Sequence, residues 1–375
     1  MGDALLRALE VWPVSGIPDS PDAWLLSVAK RQLLQVARHN RVRSDPAVTV
    51  LLAQDTFDED LAAIPDARLK LMFVCAHPSI DEKIRVPLML QTVLGLQVAE
   101  MAPALMLSPT TLAQRLVRAK QKIREAGIRF EEPELRELPE RLACVLESIY
   151  GAFGLSMDAI DGAESRVTDL QDEAIYLCDV VCQLLPEEPE ARGLLALMSF
   201  IRARRNAQID DSGRFVPLAK QDVLLWDRAA ILNADQTLWI AAQQRRPGPF
   251  QLEAAVQSAH CHRLFTGTTP WNGIAELYAQ INSYFPTQGS LVAGAVAMGE
   301  AGDLEAGLRQ LEVMDMALVK SFQPWWVAKA YLLSLSDTRR QEAADQAFQI
   351  AIGLTSQSRL KTHLQSMRQA LRSSN

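Results

Sequence analysis

"SPTTLAQRLVRAKQKIREAG", residues 108–127, decides the architecture. Ser108 followed by Pro109 is a helix start: a hydroxyl meets an orphan amide, and a proline fills the first helical position, where its missing N–H costs little. Leu112, Leu116, Ala119 and Ile123 then recur at helical spacing and make one apolar face. Thr110, Thr111, Gln114, Arg115, Arg118 and Lys122 lie on other faces. Such a helix seats itself on its neighbours with one side. With the other it offers short polar side chains near the N-terminus and cations further on. A major-groove helix needs that division, because short polar groups reach base edges while cations meet phosphates. An ordinary charged surface helix has the same pattern, so spacing alone leaves both readings open.

Upstream, "DARLKLMFVCAH" reads as a helix ended near Pro78, and "IDEKIRVPLMLQTVLG" as a second, with Gly95 as terminator. "QVAEMAPALM" is a short helix with Pro103 inside it. An internal proline costs about 3 kcal/mol or more unless it lies in the first turn, which requires a start near Ala99. A tight turn at Leu107-Ser108 leads into the basic stretch. Short helix, tight turn and longer basic helix together form a helix-turn-helix pattern.

At 375 residues the chain has room for about two or three domains. Ala, Leu, Gln, Glu and Arg dominate and β-branched runs are short, so an all-α protein is expected. No apolar run reaches the roughly 18 residues of a membrane span. The start, "MGDALLRALEVW", has acids and no small-residue cleavage site, which is unlike a signal peptide. A cytoplasmic protein with no membrane association is expected. Cys75, Cys144, Cys178, Cys182 and Cys261 form no CxxC pair, in keeping with reduced thiols. Cys178 and Cys182 share a helical face, and His260 and His262 flank Cys261. Neighbours this close along a helix do not face one another, so no metal site is assigned.

The net charge of −7 argues against a nucleic-acid surface covering the whole molecule, but its distribution is uneven. Residues 115–129 carry Arg115, Arg118, Lys120, Lys122, Arg124 and Arg129 against Glu125 alone. Residues 29–43 carry Lys30, Arg31, Arg38, Arg41 and Arg43 with no acid. Two basic segments thus precede a long acidic remainder.

Residues 3–12 read as the end of a helix broken by "PVSGIPDSP". Ser20 and Pro21 start another, with Trp24, Val28, Leu33 and Val36 near helical spacing, running to about Arg43. Residues 44–65 read as a linker and 66–130 as a compact unit. Residues 131–375 read as helical hairpins entered through the hinge "EEPELRELPERL". Near the end, "VAGAVAMGEAGDLEAGLRQLE" and "VAKAYLLSLSDTRRQEAADQAFQ" each read helix, polar turn, helix. Their offset is roughly 35 residues, near the 34 of a tetratricopeptide repeat. "RRNAQIDDSGRFVPLAKQD" interrupts the helices as a short hairpin or a long loop.

"GLQVAEMAPALMLSPTTLAQRLVRAKQKI" resembles region 4 of the extracytoplasmic-function (ECF) subfamily of sigma-70 RNA polymerase sigma factors. Gly95, Leu96, Ala99, Glu100, Met101 and Ala102 match its first half, and Thr111, Leu112, Arg115, Leu116, Arg118, Ala119 and Lys120 its second. "IPDSPDAWLLSVAKRQLLQVARHNRVR" resembles the end of region 2, where a Trp-Leu pair and a basic helix contact the −10 element. "ELPERLACVLESIY", "LLPEEPEARGLLALM" and "RPGPFQLEAAV" look like the subgroup with a long tetratricopeptide-like C-terminal extension.

The resemblance implies a sigma region 2 remnant over 1–43, a helix-turn-helix region 4 over 66–130 reading the −35 element, and a helical regulatory domain over 131–375. Ser108, Thr110, Thr111, Gln114, Arg115, Arg118, Lys120 and Lys122 are the expected DNA contacts of region 4. Trp24, Lys30, Arg31 and Arg38 are those of region 2. Core RNA polymerase and promoter DNA are the expected partners, with a protein partner at the C-terminal domain and no cofactor. Members of the subgroup begin further upstream, so a chain starting at Met1 is expected to bind core polymerase weakly on its own. The acidic C-terminal part is expected either to fold back on region 4 and restrain it or to serve as a rigid platform that recruits a partner.

Two departures accompany the match: the chain has "GAFGLSMDA" after "SIY", and the basic tail after Trp24 is thinner than is usual in the family. A Trp opening an amphipathic helix also serves as core, and "PWWVAKAYLL" reads as hairpin packing rather than a ligand cage. No Walker loop, GxSxG or HExxH occurs, so no enzyme is expected. His77, Asp81 and Glu82 read as a helix-end histidine and a first-turn acidic pair. A helical-repeat, protein-binding adaptor with vestigial sigma segments is the alternative from another class.

Overall fold

The computed structural model describes residues 64–105, 107–125, 133–158, 164–336, 340–355 and 357–373. The region 2 expectations, with Trp24, Lys30, Arg31 and Arg38, lie outside the described residues, as does nearly all of the linker. The described residues are all-α apart from 3-10 turns and one isolated antiparallel bridge, Ile209 to Phe215. No helix among them is long and apolar enough to cross a membrane.

Local chemistry sets each helix of the first part. The Asp66 carboxylate accepts the amides of Arg68 and Leu69 and starts α1, Ala67–Cys75. Asp81 accepts the Lys83 amide and starts α2, Glu82–Thr92, so Asp81 and Glu82 act as cap and first-turn acid. His77 follows α1, its Nδ1 accepting the Ser79 amide at 3.1 Å. Gly95 takes a positive φ of 66°, which lets the Leu96 amide return to the Leu90 carbonyl. Gln97 and Glu100 form a reciprocal capping box on α3, Val98–Met101. That helix is a single turn, and Pro103 is exposed beyond its C-cap, Ala102. The expectation that Pro103 lies inside the helix is corrected: α3 ends at Met101, and Pro103 falls in the turn after it, where Ala102 keeps helical dihedrals and the Leu105 amide still reaches the Met101 carbonyl at 3.1 Å. Ser108 then caps α4, Pro109–Glu125, its Oγ accepting the Thr111 amide at 3.1 Å.

Glu134 and Glu137 form another capping box at a short 3-10 turn that leads directly into α5, Leu138–Asp158. The second half of "EEPELRELPERL", expected as hinge, is therefore a helix start. Contacts divide the chain into two units, the first holding the described residues up to Met157 together with Ser165–Leu177. Leu69, Met72 and Phe73 of α1, Leu88 to Leu90 of α2, Met101, Leu112, Leu116, and Leu142, Leu146 and Phe153 of α5 form its buried interior. Helix α6, Glu164–Leu184, contributes residues up to Leu177 to this unit.

Arg68 links α1 to α6: its guanidinium donates to Asp66 at 2.9 Å and to Glu173 at 2.6 Å, and it stands 5.6 Å from the Tyr176 ring. Burial opposes charge on Asp66, but hydrogen bonds from Arg68 outweigh it and hold the carboxyl below its ordinary value. The folded pKa is depressed, so this stabilisation is present at neutral pH. It fades as pH falls below about 3.9 and through the depressed value. Arg68→Ala is expected to cost about 2 kcal/mol, since these groups are half-buried and not fully buried. Urea unfolding should show that difference at pH 7 and a smaller one at acid pH; equal stability of variant and natural chain would remove the triad from the account.

The second unit begins, for α6, at Cys178. It continues through α7, Pro189–Ala203; α8, Arg228–Gln243; α9, Pro249–Cys261; α10, Arg263–Thr266; α11, Trp271–Tyr284; α12, Gln288–Glu300; α13, Leu304–Glu312; α14, Met316–Val319; α15, Gln323–Ser334; α16, Gln341–Leu354; and α17, Ser358–Ser373. Longer helices pack against the next in sequence, α7 on both α8 and α9, α12 on α13, and α15 on α16. Small residues sit where helices meet: a Cβ on Gly299 falls 2.4 Å from Leu332 Cδ2, and one on Gly307 falls 2.4 Å from the Ala295 carbonyl oxygen. Trp325 is buried in this core, its indole N–H donating to the Leu311 carbonyl at 3.1 Å. The reading of "PWWVAKAYLL" as hairpin packing agrees. Asp345 of α16 accepts from both Arg368 and Arg372 of α17, which holds its carboxyl well below the usual range.

Between α7 and α8 the chain makes a small hairpin. The Ile209–Phe215 bridge closes around Gly213, whose φ is 76°.

Candidate nucleic-acid interface

Helix α4 is placed by its apolar side. Leu112 and Leu116 are fully buried, Ala119 and Ile123 half-buried, and the helix packs on α2 and α3. Around the axis Thr110, Thr111, Gln114, Arg115, Arg118 and Lys122 fall within an arc of about 140° at 100° per residue. All six are exposed. Ser108 stands at the N-terminal end of that arc, its Oγ 2.7 Å from Thr111 Oγ1. Along the axis these six run hydroxyl, hydroxyl, amide, then cations.

Lys120 does not join them. It lies beyond the apolar stripe, on the opposite flank, and is half-buried. Its charge is felt by Cys75, whose thiol is nevertheless pushed up to about 12 by burial. Two further features mark the face. Val117 is 62% exposed at one edge, an apolar group that no core claims. Glu125 shares the arc at the last turn, where it accepts from Gln121 at 2.7 Å. Among the described residues none of Arg115, Arg118 or Lys122 is held in an ion pair, so their charge is offered to solvent.

Other residues weighed in the sequence take structural places. Cys178 is buried and donates to the Ala191 carbonyl at 3.3 Å, and burial raises its pKa well above the ordinary value. His260 stacks edge-on against Trp271, and His262 lies near Phe265, so the two do not converge. Burial, with Arg204 and Arg263 nearby, lowers the His260 pKa to about 4.

The segments "LLPEEPEARGLLALM" and "RPGPFQLEAAV" meet in the second unit. Glu190 of α7 accepts the Phe250 and Gln251 amides at 2.9 and 3.1 Å and so caps the N-terminus of α9. Gly193, one turn on, leaves room for Gln251: a Cβ there falls 2.7 Å from the Gln251 backbone nitrogen.

Residues 141–242 match a family of unknown function, DUF6596, a stretch holding most of α5, α6, α7, the small hairpin and nearly all of α8. An uncharacterized protein of Rhizobium meliloti (strain 1021) is 35% identical over 323 residues, spanning 84% of this chain and 76% of its own. No solved structure matches the chain.

Proposed function

The chain belongs to the family of the Rhizobium meliloti protein, and we propose that it is a sigma-70-type initiation factor of the ECF subfamily, which directs core RNA polymerase to promoters. The observation carrying this reading is the exposed face of α4, with polar groups ahead of cations on a helix that follows a short helix and a turn. In this reading α3 and α4 form the helix-turn-helix and α4 enters the major groove of the −35 element. Gln114 sits where an amide can pair with adenine, and Arg115, Arg118 and Lys122 where cations meet phosphates. Val117 adds an apolar edge of the kind that meets a thymine methyl. The second unit is a tetratricopeptide-like regulatory module in the same reading, and no catalytic role is assigned to any residue.

Gln114→Ala is expected to change which sequences are preferred, at a cost of about 1–3 kcal/mol on the favoured site, while leaving non-specific affinity nearly unchanged. Binding measured on a promoter library checks this, and an unaltered preference would take Gln114 out of the readout. The broader proposal is tested by isolating the protein, expressed from its own locus, from its host. Core RNA polymerase subunits should accompany it, and their absence under conditions that retain other initiation factors would overturn the proposal.

A second reading, a protein-binding helical adaptor, is favoured by exposed apolar side chains on the second unit. Leu224 is 85% exposed, Val313 83% and Tyr284 73%. The same isolation separates the two, since an adaptor brings down other partners and no polymerase.

A further inference from the structure

Helix α8 carries its large apolar side chains on the outside. Its inner side, against α7 and α9, buries Ile231, Ala234 and Ala241. Outward, Trp239 is 59% exposed, Leu232 49% and Ile240 36%. A single exposed apolar residue is ordinary. A helix whose only task is to seat on its neighbours turns such residues inward, so three on one outer face mark a surface that something covers.

At 100° per residue, Trp239, Leu232, Gln243, Gln236, Ala229 and Ile240 fall within an arc of about 100°. All six are exposed and none is charged. The charged residues of α8 stand beside the arc and are engaged elsewhere. The Arg228 guanidinium lies 5.1 Å from the Phe265 ring, and Asp235 accepts from Ser258 of α9 at 2.6 Å.

The chemistry of the arc points to its occupant. DNA and anionic membrane surfaces are met by cations, and the arc has none. A different protein recognised by charge meets complementary charges, which are also missing. A second copy of the same face has the opposite requirement. In a twofold interface each group near the axis meets its own counterpart, so a charge there repels itself. An amide holds donor and acceptor together and can pair with an identical amide.

The arc is also balanced about one residue. A twofold that lays this stripe on itself crosses its midpoint, which is Gln236. Four residues to either side stand Leu232 and Ile240, and seven to either side Ala229 and Gln243. With the two helices antiparallel, Leu232 of one copy meets Ile240 of the other, and the two Gln236 amides meet on the axis.

We propose that this face of α8 is covered by the same face of a second copy of the chain, the two helices packed antiparallel about a twofold axis at Gln236. The surface lies wholly in the second unit and rests on neither reading of function. A face one helix wide and about 24 Å long makes a small interface, of the size that forms and releases readily.

Sedimentation equilibrium of the full chain is the test. At about 100 µM the mass is expected to approach that of two chains, and on dilution to about 1 µM to approach that of one. Gln236→Lys removes no apolar group and sets a charge on the axis, so it should raise the dissociation constant about tenfold or more. Trp239→Glu should do the same; if that variant does not fold, the Gln236 variants carry the test. Val313→Glu puts an acid at another exposed apolar position of the second unit and should leave association unchanged. An equimolar mixture of Gln236→Lys and Gln236→Glu should recover the mass of two chains, because opposite charges then meet at the axis. A chain that stays single at about 100 µM, equal loss in Val313→Glu, or no recovery in the mixture would each overturn the proposal.

Discussion

A chain with alanine at Arg115, Arg118 and Lys122 is expected to bind duplex DNA of every sequence more weakly than the natural chain, and with a flatter salt dependence. The three cations lie along one exposed arc of α4 and are not held in ion pairs among the described residues. Each phosphate met by a cation releases condensed counterions, and contributes about 0.9 to the slope of log affinity against log salt. Losing three lowers the slope by about 2.7, or on the order of 10²-fold in affinity at 0.1 M salt. Arg118→Ala alone should give about a third of the slope change. Lys120→Ala should change the slope least, because Lys120 is half-buried on the opposite flank of the helix. Fluorescence anisotropy across a salt series checks both statements. Equal effects of Lys120 and Arg118 would mean that DNA does not meet this face.

The second large effect belongs to Gly193. Alanine in place of a helical glycine normally stabilises by up to about 1 kcal/mol. At Gly193 the sign reverses, since a Cβ falls 2.7 Å from both the backbone nitrogen and Cγ of Gln251, with its Cα at 3.0 Å. Backbone cannot swing aside as a side-chain tip does, so α7 and α9 must separate. Glu190, one turn before, then loses its grip on the Phe250 and Gln251 amides. Gly193→Ala is expected to cost about 3 kcal/mol and Gly193→Val more. Gly353 in α16 has nothing within 4 Å of its Cβ position, so Gly353→Ala is expected to be neutral or slightly stabilising. Thermal unfolding of the two alanine variants side by side separates close packing from a general intolerance of substitution.

Local chemistry made much of the helical layout legible. Asp66, Asp81 and Ser108 with Pro109 are capping residues whose roles follow from their own side chains and the next few amides. The face of α4 followed from its 3.6-residue period. Lys120, expected as a contact from the resemblance alone, lies half-buried on the other flank of the helix from Arg115, Arg118 and Lys122. Pro103 was placed inside a helix because sequence pattern does not say where a one-turn helix stops.

What sequence did not reveal depends on residues far apart in the chain. Glu190 caps a helix that begins about sixty residues later, so neither segment carries the signal alone. The ring contact of Phe215 with His363 joins the small hairpin to the last helix, and no local pattern connects them. The triad of Asp66, Arg68 and Glu173 is of the same kind, with Arg68 and Glu173 separated by 105 positions.

The central claim is that the exposed face of α4 reads duplex DNA. Selection from a random duplex pool, using the full chain and the variant with alanine at Arg115, Arg118 and Lys122, tests it most directly. The natural chain is expected to enrich one common sequence pattern at low salt, and the variant to enrich none. Enrichment of the same pattern by both, or of no pattern by either, would contradict it.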